Sequence, residues 1–378
     1  MSKTSSKKKI KRALEKRAPA KKTFQKQSPL RIAQIAPVVE RVPPKRYGGT
    51  ERVVSALTEE LVRRGHDVTL FASGDSITAA KLVPVIPRSL REAKPELAGM
   101  SGVDPAAFAN IGNCYAQQDK FDIIHDHEGH ISLPTANIAK TPVVMTLHGP
   151  FTPENRMIFE KLSRPYFVTI SNAQARPVPR VRIAANIYNG LPMESYPFEE
   201  QDDGYLLFVG RISPEKGTHF AIEVAQFLDI PLVIAAKLDA ADRSYFKNYI
   251  EPTLSSELVS WVGEVGEEER NKLMSRALCM LHPVTWREPF GLAMIEAMAC
   301  GCPVVGFNRG SVPELVVNGK TGFVANDFEE MAEAILRIKE IKRAACRAHA
   351  LKNFSAPRMA DDYEKLFYRI LGEKKTKK

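Results

Sequence analysis

The sequence predicts an α/β protein made of two doubly wound, parallel-sheet domains that face each other across a cleft. Three observations carry that prediction. A chain of 378 residues exceeds what one ordinary core holds. Short apolar runs alternate with helix-period segments twice over, in residues 29–190 and again in residues 203–352. In each half the opening apolar run is followed by a glycine-bearing turn from which a helix starts.

In the first half, LRIAQIAP (30–37) is an apolar run closed by a turn. After the glycine pair Gly48 and Gly49, the residues Val53, Val54, Leu57 and Leu61 recur at helical spacing until Gly65 ends the helix, and VTLFAS (68–73) is a second buried strand. That is a βαβ unit. FDIIHDH, PVVMTLHG and YFVTIS follow as buried parallel strands ending in polar residues. In the second half the strands are LLFVG, LVIAA, LVSWVG, CMLHP and VVGF, with helical stretches between them. Two such Rossmann-like domains place their strands' carboxyl ends on a shared cleft, where open α/β sheets bind ligands. The turn-rich stretch NGLPMESYPFEEQDDG (189–204) is the linker.

Composition narrows the class. Hydrophobic residues at 44% with charged residues at 26% fit a soluble globular protein. No apolar run approaches bilayer length, and the opening residues lack the apolar centre of a secretory signal, so a cytoplasmic location is expected, with peripheral membrane contact open. Five scattered cysteines show no C-x-x-C spacing and read as reduced thiols. The net charge of +10 lies wholly in the tails: residues 1–28 carry +10 and residues 373–378 carry +3, which leaves the body at −3. Both tails read as disordered and basic, and neither gives the folded part a nucleic-acid face. The first arm is a solvated tail, a tether to anionic lipid, or a nonspecific nucleic-acid contact.

The most informative run is REPFGLAMIEAMACGCPV (287–304), which sets Glu288 and Glu296 eight positions apart around a helix start. With Pro289 as a first-turn residue and Gly301 as the stop, Glu288 falls in the loop and Glu296 about two turns inside. The N–H groups of Phe290, Gly291 and Leu292 then sit at the positive helix end, a place for a diphosphate flanked by carboxylates that bind hydroxyls. GRISPEKG (210–217) brings Arg211 and Lys216 into a second turn before a helix. YGGTE (47–51) offers Gly48 and Gly49 for close backbone approach, or only for a tight turn. TLHGP places His148 at a strand's carboxyl end. HDHEGH (His125, Asp126, His127, Glu128, His130) has ligand-type side chains, but alternate residues of a strand point apart, so no metal site is expected there.

Together these motifs resemble retaining nucleotide-sugar glycosyltransferases of family 4, which have the GT-B fold. The resemblance covers residues 30 to about 370 and leaves the basic arm out. It implies a C-terminal helix (353–372) crossing back onto the first domain. It also implies that Glu288 binds sugar hydroxyls, Glu296 binds the ribose, and Arg211, Lys216, Phe290, Gly291 and Leu292 hold the diphosphate. Gly48 and Gly49 then border donor phosphates and acceptor, His148 touches the donor sugar, and Val262 and Gly263 of WVGEVG lie beside the base. Lys237 and Glu314 are further candidates. No metal is required, since fixed cations take its place. UDP-glucose is the donor most closely suggested, with GDP-mannose and ADP-glucose as alternatives, and the acceptor is a hydroxyl compound left open. Rival classes are a sugar-nucleotide epimerase of similar outline, a phosphorylase carrying pyridoxal phosphate on a lysine, and a nucleic-acid binder acting through the arm.

Overall fold

The computed structural model describes residues 28–46, 48–93 and 104–376; the arm of residues 1–27, Tyr47, residues 94–103 and the last two lysines lie outside the described residues. The first half runs β1 (Arg31–Ile35), α1 (Gly49–Arg63), β2 (Asp67–Phe71), β3 (Lys81–Leu82), α2 (Pro105–Ala116), β4 (Ile123–Asp126), β5 (Val143–Leu147), α3 (Pro153–Lys161), β6 (Tyr166–Thr169) and β7 (Ile183–Asn186). The strands form one parallel sheet in the order β3-β2-β1-β4-β5-β6-β7. The second half runs β8 (Leu206–Arg211), α4 (Thr218–Leu228), β9 (Leu232–Lys237), β10 (Val259–Trp261), α5 (Glu267–Arg276), β11 (Cys279–His282), α6 (Leu292–Ala299), β12 (Val304–Phe307) and β13 (Gly322–Ala325). Its parallel order is β10-β9-β8-β11-β12-β13.

Burial explains the strands. The central ones, β4, β5, β11 and β12, are buried along their whole length, because helices cover both faces of a parallel sheet. In α1 the stripe Val53, Val54, Leu57 and Leu61 packs inward. Each sheet reverses its winding between its first strand and the neighbour on the other side, β1 against β4 and β8 against β11. Loops leaving those two strands part in opposite directions and open a crevice at the carboxyl ends.

The last two long helices are α7 (Arg343–Phe354) and α8 (Ala356–Thr376). α8 leaves the second half and packs on the first. Tyr363 and Phe367 are buried, the Tyr363 hydroxyl is 2.7 Å from Thr146 Oγ1, and Arg64 donates to the Pro357 carbonyl at 2.7 Å. The helix runs on through Thr376, so the 373–378 segment begins as helix rather than as a tail. All five cysteines are buried and unpaired. Among the described residues no helix is long and apolar enough to cross a membrane.

Candidate active site

The two switch points open on one cavity of about 560 Å³, lined from both halves. On the second sheet's side, β8 ends at Arg211 and the chain turns back through Gly217. Gly217 has φ +72°, and a Cβ there would meet the Pro283 carbonyl oxygen at 2.0 Å, so only glycine lets this turn press on the end of β11. The turn delivers Lys216, whose Nζ lies 2.5 Å from Glu288 Oε2 and 5.0 Å from the centre of the Trp286 ring. Trp286 Nε1 donates to the same Oε2 at 3.0 Å. One oxygen of Glu288 is thus held by a cation and an indole N–H together.

The helix of the motif starts later than its sequence suggests. α6 begins at Leu292, not at Pro289, because Gly291 takes φ +83° and the preceding carbonyls are engaged elsewhere. The Glu288 carbonyl accepts from Ser311 N at 3.0 Å, and the Phe290 carbonyl from Ser311 Oγ at 2.6 Å. The Pro289 carbonyl accepts from Ser171 Oγ of the first half at 2.6 Å. With those carbonyls satisfied, Phe290, Gly291 and Leu292 line the cavity at the helix's positive end, where first-turn N–H groups lack intrahelical acceptors. Glu296 is the fifth residue of the helix and also lines the cavity.

Glu296 is almost wholly buried, yet it remains a carboxylate. Burial pushes its pKa up, but Arg270 and Arg52 outweigh that and hold it below the ordinary value. Arg270 Nη2 is 2.8 Å and Arg52 Nη2 2.5 Å from Oε1, and the Tyr196 hydroxyl donates to that oxygen at 3.2 Å. Arg211 is not a bare cation either. It pairs with Glu215, and Asp242 and Asp239 lie 3.5 and 3.8 Å from its guanidinium. Lys237 lines the cavity with its Nζ 2.6 Å from Asp239.

The first sheet's side brings a neutral histidine and backbone glycines to the cavity beside Arg46, Arg52 and Arg91. Gly48 and Gly49 open α1, and a Cβ on Gly49 would sit 3.4 Å from Leu292, which shows how near the halves approach. His148, at the end of β5, lines the cavity; burial lowers its pKa to about 4, so the ring is neutral near pH 7. Its Nε2 lies 2.9 Å from His127 Nδ1, and His127 Nε2 lies 2.9 Å from Gln34 Oε1. His125 turns away to Thr146 at 2.8 Å, and Asp126 accepts from Tyr115 and Ser132, both at 2.8 Å. HDHEGH therefore disperses, and among the described residues no three His, Cys, Asp or Glu side chains converge as metal ligands.

Gly48, Gly49, His148, Arg211, Lys216, Glu288, Phe290, Gly291, Leu292 and Glu296 are brought onto one cavity. Val262 and Gly263 are not. β10 stops at Trp261, Val262 is 45% exposed, and Gly263 at φ +79° turns the chain so that Glu264 and Val265 reach the cavity instead. Glu314 also lies elsewhere: it accepts from Asn172 N at 2.9 Å and Tyr188 Oη at 3.1 Å, tying the halves together.

Family models match both halves: Glycosyltransferase Family 4 over residues 47–189 and Glycosyl transferases group 1 over residues 195–353. The chain belongs to the family 4 glycosyltransferases. A phosphatidyl-myo-inositol mannosyltransferase of Propionibacterium freudenreichii subsp. shermanii is 29% identical over 314 residues, which span 75% of this chain and 79% of that protein. Among solved structures, AviGT4, a glycosyltransferase involved in avilamycin A biosynthesis, superposes with a TM-score of 0.70 at 24% identity, covering 91% of this chain and 98% of that one. Anabaena Alr3699/HepE in complex with UDP and glucose gives 0.69 at 19% identity, covering 90% and 100%. The GT-B fold and the enzyme class implied by the motifs thus hold for this chain.

Reading the motifs alone left out Arg52, Arg270, Trp286 and His282 among the residues that line this glycosyltransferase's cavity. Arg52 and Arg270 sit in charge-rich helices where only the folded chain shows which cation meets Glu296. Trp286 was legible in principle, two residues ahead of Glu288. His282, at the end of β11, is buried beside Gly291; burial lowers its pKa to about 4, with Glu288 opposing and Lys216 adding to the shift.

Proposed function

We propose that this glycosyltransferase moves a hexose from a nucleoside diphosphate sugar, with UDP-glucose the leading donor, to an acceptor hydroxyl with retention at the anomeric carbon. The observation that carries the reading is the pair of motif carboxylates flanking the α6 start, each gripped on one oxygen by cations. A diphosphate between Lys216, Arg211 and the first N–H groups of α6 meets positive potential from three directions. Glu296 takes the ribose hydroxyls through its second oxygen, and Glu288 takes sugar hydroxyls through its own. As the bond from the anomeric carbon to the phosphate oxygen breaks, its electron pair leaves with the diphosphate. The acceptor oxygen bonds to that carbon from the same face, and its proton passes to the departing phosphate. The negative charge that grows on the leaving group is what the fixed cations stabilise, so no metal ion is required.

The relative named for mannose transfer makes GDP-mannose the donor to test against UDP-glucose, and the neighbour solved with UDP and glucose favours the latter. A thermal-shift panel of UDP, GDP and ADP with their sugars separates them, because a ligand at 100 times its Kd stabilises by about 2.7 kcal/mol. Stabilisation by GDP compounds alone would overturn the UDP assignment, and no response to any would overturn nucleotide-sugar transfer itself. Activity lost to EDTA and restored by Mn²⁺ would overturn metal independence. Interconversion of sugar nucleotides without an acceptor would make the enzyme an epimerase. The basic arm is proposed as a weak tether to anionic surfaces; deleting residues 1–28 should abolish pelleting with anionic vesicles while donor hydrolysis persists.

A further inference from the structure

Arg52 belongs to the first half of the molecule, in the first turn of α1, yet its guanidinium ends on the carboxylate read as the ribose ligand of the second half. Its Nη2 lies 2.5 Å from Glu296 Oε1 and 3.0 Å from the hydroxyl of Tyr196, a linker residue that is itself buried. Arg270, from the second half, reaches the same Oε1 at 2.8 Å. Glu267 stands 3.8 Å from Arg52 on its outer side. Three donors from three parts of the chain therefore saturate one oxygen, and a carboxylate has about four acceptor sites across its two oxygens. What remains for a ligand is Oε2. The arrangement also depends on how the halves sit: Arg270 travels with Glu296, whereas Arg52 reaches it only when α1 is this close to α6.

We propose that Arg52 is a positioning residue that makes nucleotide binding and closure of the cleft one equilibrium, by completing the ribose carboxylate from the opposite domain. This rests on the glycosyl-transfer reading of Glu296. With Arg52 in place, Glu296 is fully charged and its second oxygen is aimed. With the halves apart, only Arg270 and Tyr196 hold it and the carboxylate can rotate. A nucleotide that binds the aimed carboxylate better must favour the closed arrangement to the same degree, since coupling between two equilibria is reciprocal. The cleft then closes on donor before acceptor chemistry begins, without a moving loop.

The test is nucleotide titration of the full chain by calorimetry, using UDP with GDP and ADP alongside, on the wild type, Arg52→Met, Arg52→Lys, Glu296→Gln and the Arg52→Met/Glu296→Gln double variant. Arg52→Met should weaken the best nucleotide about tenfold, the order expected for one charge-assisted hydrogen bond. Arg52→Lys, which keeps the charge but not the fork, should fall between. The double variant should bind no more weakly than Glu296→Gln alone, because the two act through one contact. Small-angle scattering should show the wild type contracting on nucleotide and Arg52→Met contracting less. Wild-type nucleotide affinity in Arg52→Met, or strictly additive losses in the double variant, overturns the proposal while leaving glycosyl transfer standing. A wild type that binds none of the three nucleotides overturns the glycosyl-transfer reading, and the proposal with it. Thermal unfolding of each variant without ligand checks that it is folded, and Arg52→Lys decides the matter if Arg52→Met is not.

Discussion

The two walls of the cleft share a topology and differ in chemistry. Both are carboxyl ends of parallel strands at a switch point, β1 with β4 and β8 with β11. The second wall is made of charge held in place: Lys216 on Glu288, Arg270 on Glu296 with Arg52 reaching across from the first half, and Arg211 among Glu215, Asp239 and Asp242. The first wall sets uncharged groups beside arginines: His148 backed by His127 and Gln34 and Glu51 lifted to about 7 by burial, next to Arg46, Arg52 and Arg91. One fold therefore supplies two environments. Preorganised cations suit a diphosphate whose charge grows during reaction, and the neutral, hydrogen-bonding His148 edge suits hydroxyl groups that must shed water.

If charge on the second wall is structural as well as functional, the largest effect comes from removing its most buried member. Glu296→Ala leaves Arg52 and Arg270 facing each other without their shared acceptor, and breaking a buried pair in this way costs about 3–5 kcal/mol. Urea unfolding should register that loss, and steady-state kinetics should show a raised donor KM. A variant with wild-type stability and KM would mean that Glu296 is an ordinary helix residue.

Within the same wall the two cations of the basic turn should separate. Lys216→Ala removes the counter-charge of a buried carboxylate and the proposed phosphate contact together, so kcat should drop about 10²- to 10³-fold, as for other preorganised donors. Arg211 is about a third exposed and already shared among three carboxylates, so Arg211→Ala should cost nearer tenfold. An equal or larger loss at Arg211 would reverse their roles. A finer cut is Trp286→Phe, which keeps a ring under Lys216 and removes only the N–H on Glu288. A hydrogen bond to a charged group is worth about 1.5–3 kcal/mol, and that should appear in kcat/KM for the sugar donor with free-nucleotide affinity unchanged.

The second wall was also the more legible in the sequence. Gly217, Gly291 and the paired glutamates are local, and a turn that needs φ > 0 beside a charged residue declares itself in a few positions. Less legible were edge elements. β3 is two residues long, β7 is only partly buried along Ile183–Asn186, and β13 opens on a glycine, so none shows a strong apolar period. Least legible were contacts across the cleft. Nothing near Arg52 in TERVVS announces a partner 244 positions away, and Val262 and Gly263 look like cavity residues until the turn at Gly263 carries the chain past them.

The smallest effect reads the first wall directly, through pH. His148 titrates near 6.5 unfolded and near 4 folded, because burial beside His127 disfavours the imidazolium. Between those values the unfolded chain binds more protons, so the stability His148 contributes is present above pH 6.5 and is lost as pH falls toward 4. Glu51 runs the other way. Its carboxyl moves from 4.5 unfolded to about 7 folded, through burial first and with Glu40 adding to it, while a backbone hydrogen bond and Arg91 oppose. Its contribution is present below pH 4.5 and is lost as pH rises toward 7. Each group changes the slope of stability by at most about 1.4 kcal/mol per pH unit, so in the wild type the two trends oppose each other between pH 4.5 and 6.5. Glu51→Gln should gain stability relative to wild type as pH rises from 5 to 7, and His148→Gln should lose its disadvantage as pH falls from 6.5 to 4. Thermal unfolding of the three proteins at half-unit pH intervals measures both differences. Flat differences across these windows would mean that the first wall is hydrated and ordinary, and the contrast between the two walls would then rest on the second wall alone.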